Sequence, residues 1–149
     1  MQRYEAYGPT LLRVALGVVF LAHSAYLKVM VFTIPGTVAF FDSLGLPAII
    51  AYGTIGAEIV GGIMLILGVK VREAAAVLAV VSLGATWAHF GAGWVFSNEG
   101  GGFEFPLFLA VTSAVQVLLG PGALALKLPA KDISAEGEVK GEGELALTQ

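Results

Sequence analysis

The sequence predicts an all-α membrane protein, a bundle of four transmembrane helices with a short interfacial helix between the first two. Three observations carry that expectation. Apolar runs of about bilayer length recur four times, each closed by helix breakers. Hydrophobic residues make up 57% of the chain and charged residues 13%, with a mean hydropathy of +0.86. A soluble domain of this size needs more polar surface than that. The 20 glycines complete the picture, because small residues let helices approach closely in lipid.

The first span is expected at about residues 10–32 and the second at 48–69. The third covers about 74–95 and the fourth about 103–119. "TIPGTVAFFDSLGLP" separates the first pair, with Pro35, Gly36, Gly45 and Pro47 interrupting helix. Between those breakers Val38, Phe40, Phe41 and Leu44 pattern as one short amphipathic helix lying in the interface. "GVKVRE" reads as a tight charged turn, "SNEGGG" as a glycine-dependent turn, and "GPG" closes the last helix.

Residues 1–126 thus form the membrane domain, and 127–149 change character. "KLPAKDISAEGEVKGEGELALTQ" is rich in Glu, Gly and Lys without a helical stripe, and reads as a disordered, solvated tail. The step Ala22-His23-Ser24 loosely resembles a signal-peptidase site. The apolar run continues past it to Phe32, so an uncleaved anchor is expected. Arg3, the Lys70/Arg72 turn and Lys127/Lys131 fall on one side of a four-span topology. The positive-inside rule then places both termini in the cytoplasm.

Several function classes are excluded early. The net charge is −3 and no basic run tracks phosphates, which argues against nucleic acid as a partner. With no cysteine, disulfides, thiolate metal sites and dithiol relays within the chain are ruled out. Two histidines far apart in sequence do not make a histidine-rich metal site, and their expected depths differ too much for a haem pair.

The informative residues are the polar ones inside the spans. Glu58 lies roughly 15 Å into the second span, near the midplane, and His23 comes out at a similar depth. Lys28, His89 and Glu104 are expected nearer the outer interface, and Arg13 near the inner one, snorkelling to water. Thr54, Glu58 and Gly62 share one stripe of the second span, so Glu58 should face protein. Beside it Gly53, Ala57 and Gly61 form a small-xxx-small pattern suited to a second helix, of this chain or of a homodimer partner. Ser82, Thr86, His89 and Gly93 form a polar stripe on the third span. Arg13, Gly17, Ser24 and Lys28 do so on the first, with His23 at the flank. Turned toward a shared interior, these stripes imply a polar pocket that opens outward. Intramembrane acids are functional by default, although Glu58 paired with Lys28 as a structural lock is the plain alternative. Trp87, Trp94, Phe96 and Phe103 cluster as an interfacial aromatic belt.

In order along the chain, these motifs resemble one family. "LLRVALGVVFLAHSAYLK" is similar to the first span of the DoxX family, with its early Arg, Ala-His-Gly-like step and Lys. "FFDSLGLP" and "AEIVGGIMLILG" resemble its connecting segment and second span, and "TWAHFGAGWVFSNEGGGFEFPLF" its third-to-fourth-span junction. The resemblance covers about residues 10–126. It implies a four-helix integral membrane protein of the kind found in bacteria and archaea. Some relatives are subunits of thiosulfate–quinone oxidoreductases, and others belong to membrane oxidoreductase complexes linked to thiol and oxidative stress. Glu58, Lys28, His23, His89 and Glu104 match the family's polar positions, whereas Ser24 departs from the usual glycine. The missing cysteines count against a direct sulfur relay.

The resulting expectation is a subunit of a quinone-linked oxidoreductase. Glu58, His23 and His89 would act as proton-handling catalytic residues, with Lys28, Glu104, Trp87 and Phe103 contributing to binding. No metal and no covalent cofactor are expected. The implied partners are quinone, membrane lipid and a protein that delivers electrons. The alternative is a non-catalytic membrane scaffold or a small-molecule permease.

Overall fold

The computed structural model describes residues 2–126, and these are helical with no strand among them. The tail expected over 127–149 lies outside the described residues. After a single turn, Gln2–Glu5, helix α1 runs Tyr7–Val31 and α2 Ile34–Ser43. Helix α3 spans Ala48–Leu67, α4 spans Val71–His89 with a 3-10 turn at Phe90–Ala92, and α5 spans Glu104–Leu119. Helices α1, α3 and α4 are long and apolar enough to cross a membrane. At 16 residues, α5 rises roughly 24 Å, short of a full hydrocarbon core of about 30 Å. The predicted interfacial helix is present as α2. Thr33 starts it at φ 64°, an uncommon conformation for a β-branched residue, and its Oγ1 accepts the Gly36 N–H at 3.3 Å.

Helix α3 packs on both α1 and α4, and α4 pairs along its length with α5. The apolar core lies toward the α3–α4 turn, where Leu16, Phe20, Leu65, Ala75, Leu78 and Leu109 are buried together. Helices α1 and α3 cross at glycines. A Cβ on Gly17 would stand 2.6 Å from the Gly62 carbonyl oxygen, so only glycine admits this approach. The predicted stripe is displaced by one face. Gly61 meets Leu78, but Gly53 is exposed and faces open space, so Gly53, Ala57 and Gly61 do not form one helix seam in the chain.

Arg13 differs most from expectation. It does not snorkel; it is 1% exposed. Its guanidinium donates to Leu65 O and Ile66 O, at 2.7 and 2.6 Å, in the last turn of α3. It also donates to Pro121 O, Ala123 O and Leu124 O in the segment after α5. Five fork-shaped donors can serve five carbonyls, and the negative end of the α3 dipole stands in for a carboxylate. Gly68, at φ 75°, ends α3 with Val69 N–H on Met64 O, and its missing Cβ leaves room for Arg13 and Ala125. The segment after α5 is docked further by Ala123 N–H on Ala6 O and by Thr10 Oγ1 on Ala123 O.

Helix α1 changes its winding part-way. It is α-helical to Leu21 and π-helical from Ala22 to Val31, ending with Phe32 N–H on Leu27 O at 2.8 Å. Three tertiary contacts hold this wider ladder. Ser24 Oγ donates to Ile55 O, Lys28 pairs with Glu58, and Thr37 Oγ1 of α2 donates to Lys28 O.

Candidate functional site

The π segment decides which side chains meet. In an α-helix residues five apart diverge by about 140°. An i→i+5 ladder stacks them, so His23 and Lys28 face the same way. Lys28 Nζ reaches Glu58 Oε2 at 2.5 Å. Glu58 is 4% exposed on the inner face of α3, while Lys28 is partly open to the space beside it. An unpaired carboxylate at that depth would cost several kcal/mol of desolvation, and the ammonium offsets it.

Two adjoining cavities share His23, Lys28 and His89 as walls. The inner one, about 580 Å³, adds Glu58 and Ser82 on its polar side and Phe20 and Leu109 on its apolar side. The other, about 420 Å³, lies between the π segment and α2, with Phe32, Thr37 and Phe40 among its walls. Both volumes are in the range that holds small organic ligands.

The two histidines are held alike. His23 Nδ1 lies 3.0 Å from Val19 O, and His89 Nδ1 lies 2.9 Å from Gly100 O. A carbonyl only accepts, so each Nδ1 carries the hydrogen and each Nε2 is left as a base when neutral or a donor when protonated. No hydrogen bond among the described residues engages either Nε2. The rings are fixed by stacking, His23 on Phe105 and His89 on Phe40, with centroids 5.2 and 5.8 Å apart.

Ser82, read in the sequence only as part of a stripe, adds a further polar group. Its Oγ is buried without a partner and it lines the inner cavity. Such a hydroxyl is what a ligand oxygen would satisfy. The roof is the glycine-rich junction before α5, where Gly101 and Gly102 border the cavity. A Cβ on Gly102 would fall 2.2 Å from Val95 O, so this fold-back requires glycine.

The sequence-predicted residues divide into two groups. Glu58, His23, His89 and Lys28 converge on the shared cavities. Glu104, Trp87 and Phe103 do not line them. Trp87 is 60% exposed on α4. Phe103 stacks on Phe90 and meets Trp94 edge-on, and Glu104 opens into a separate groove. The π winding had no signal in the sequence. "AHSAYLKVMV" contains neither glycine nor proline, and its partners come from α2 and α3.

This arrangement can be set beside known proteins. The family model for DoxX matches residues 8–91, from the first turn of α1 through the end of α4. The chain belongs to the DoxX family. A protein of Bacillus subtilis (strain 168) named "Putative oxidoreductase CatD" is 32% identical over 127 residues, covering 85% of this chain and 89% of that one. No solved structure matches. All four residues that converge on the cavities fall within the family match. Glu104 and its groove lie beyond it.

Proposed function

We propose that this DoxX-family membrane protein is a subunit of a quinone-linked oxidoreductase, with the inner cavity receiving the quinone headgroup. The observation that carries the reading is the convergence of the Lys28–Glu58 pair and two Nδ1-anchored histidines on one largely apolar space. The oxidoreductase name of the Bacillus relative points the same way.

A quinone takes up protons together with electrons. The residues of this chain suit the proton side of that chemistry. Lys28 offers positive charge to a headgroup oxygen, and Glu58 holds the ammonium at the cavity wall. His23 and His89 present Nε2 as donor or acceptor according to protonation. Ser82 Oγ supplies a neutral hydrogen bond, and Phe20, Phe105 and Leu109 keep water from the ring. Electrons come from a partner protein. We further place the chain in the bacterial inner membrane with both termini cytoplasmic, since Lys70 and Arg72 lie at the same end as Ala6 and Ala123.

Purification in mild detergent, solvent extraction and mass spectrometry test this directly. The wild type should retain quinone and take up a short-chain quinone saturably, with retention about tenfold lower in Glu58→Gln, equivalent to about 1.4 kcal/mol. A wild type that carries no quinone and binds none on titration overturns the reading.

A further inference from the structure

Glu104 is left without a role by the cavity. Its carboxylate opens into a lateral groove of about 460 Å³, surrounded by Trp94, Phe96 and Phe105 and continued along α5 by Phe108 and Val111. Glu104 Oε1 accepts the Phe96 N–H at 2.9 Å, which fixes the carboxylate at the groove's edge. No described donor reaches Oε2. The rings are not core residues, since Trp94, Phe96 and Phe108 are 56%, 67% and 61% exposed.

Charge selects the occupant. This end of the bundle carries Asp42, Glu99 and Glu104, and Lys28, its lysine among the described residues, is already paired with Glu58, while His23 and His89 line the cavities rather than the groove. An anionic headgroup with no ammonium of its own would meet an uncompensated carboxylate here. A cationic amine would meet that carboxylate together with aromatic faces, which attract cations through the ring quadrupole. Geometry selects its form. Glu104, Phe108 and Val111 follow one another at helical spacing, so the groove starts at a charge and runs down an apolar helix face. Such a shape fits a molecule with an ammonium at one end and an acyl chain at the other.

We propose that this groove is a binding site for the ammonium headgroup of a zwitterionic phospholipid, phosphatidylethanolamine, with an acyl chain laid along Phe108 and Val111. The site does not rest on the quinone reading, although Phe96 and Phe105 border both the groove and the inner cavity, and it lies outside the part of the chain that the family model matches.

Native mass spectrometry of protein released from vesicles of equal phosphatidylethanolamine and phosphatidylglycerol tests it. The wild type should retain phosphatidylethanolamine in about fivefold preference, as expected of a carboxylate assisted by exposed rings. Glu104→Gln keeps an oxygen for the Phe96 N–H and removes the charge, and should abolish the preference. Trp94→Ala removes an exposed ring that borders the groove and not the inner cavity, and should lower it about twofold. Equal retention of the two lipids by the wild type, or a preference unchanged in Glu104→Gln, overturns the proposal.

Discussion

Arg13 and Lys28 are cations near opposite ends of the same helix, and the bundle treats them differently. Arg13 is sealed, 1% exposed with five backbone carbonyls around its guanidinium, and lines neither of the two cavities. Lys28 has one carboxylate partner and stands at the wall of two cavities. Around Arg13 the helices touch at Gly17 and Gly62 and apolar side chains pack together. Around Lys28 the helix widens, a buried hydroxyl borders the inner cavity and the histidines keep one nitrogen each uncommitted. One half of the molecule uses its charge to close the structure. The other half keeps its charges available. A bundle this small can hold an open pocket because its other end is tied so thoroughly.

The largest effect should come from untying that end. Arg13→Met leaves several buried carbonyls without donors and should cost about 3–5 kcal/mol, read as a large drop in the thermal unfolding midpoint in detergent. Arg13→Lys should recover little, because an ammonium cannot span five acceptors. A mild effect would mean that the two halves are less unequal than their contacts indicate.

Gly17→Ala comes next. Its Cβ would collide with the Gly62 carbonyl and Ile66, and overpacking there should cost about 1–3 kcal/mol in the same assay. Quinone retention should fall far less than stability, since this contact belongs to the closed half.

The smallest stability change, and the sharpest comparison, lies at the pair. Glu58→Gln leaves only the partly exposed Lys28 ammonium and should cost about 1–2 kcal/mol, and adding Lys28→Met should regain most of it, because neither charge is then left alone. Ligand retention should stay low in both. If the double variant regains retention along with stability, the pair is a lock between helices and nothing more.

The spans, the interfacial helix and the inward stripes were legible because hydropathy and helical period report burial directly. Glu58 could be read as protein-facing from Thr54 and Gly62 alone. Arg13 reads as snorkelling to water, and its burial was not legible because three of its acceptors lie in "GPGAL", which reads as a simple stop after the last helix. Depth counting put His23 and His89 at different levels. It assumed α winding and straight spans, whereas the π ladder and the fold-back of Gly100 bring both rings to one space. Glu104 was grouped with the pocket because sequence gives its depth but not its direction.

The π ladder has a consequence for how this chain tolerates changes in length. A surface loop absorbs the loss of a residue by tightening. Between Ala22 and Leu27 the loss of a residue would be converted into rotation, swinging everything that follows by roughly a quarter of a turn, one residue's share of an i→i+5 ladder. Lys28 would leave Glu58, and α2 would carry Phe40 away from His89. That stretch of a membrane helix therefore acts as a spacer whose length sets an angle.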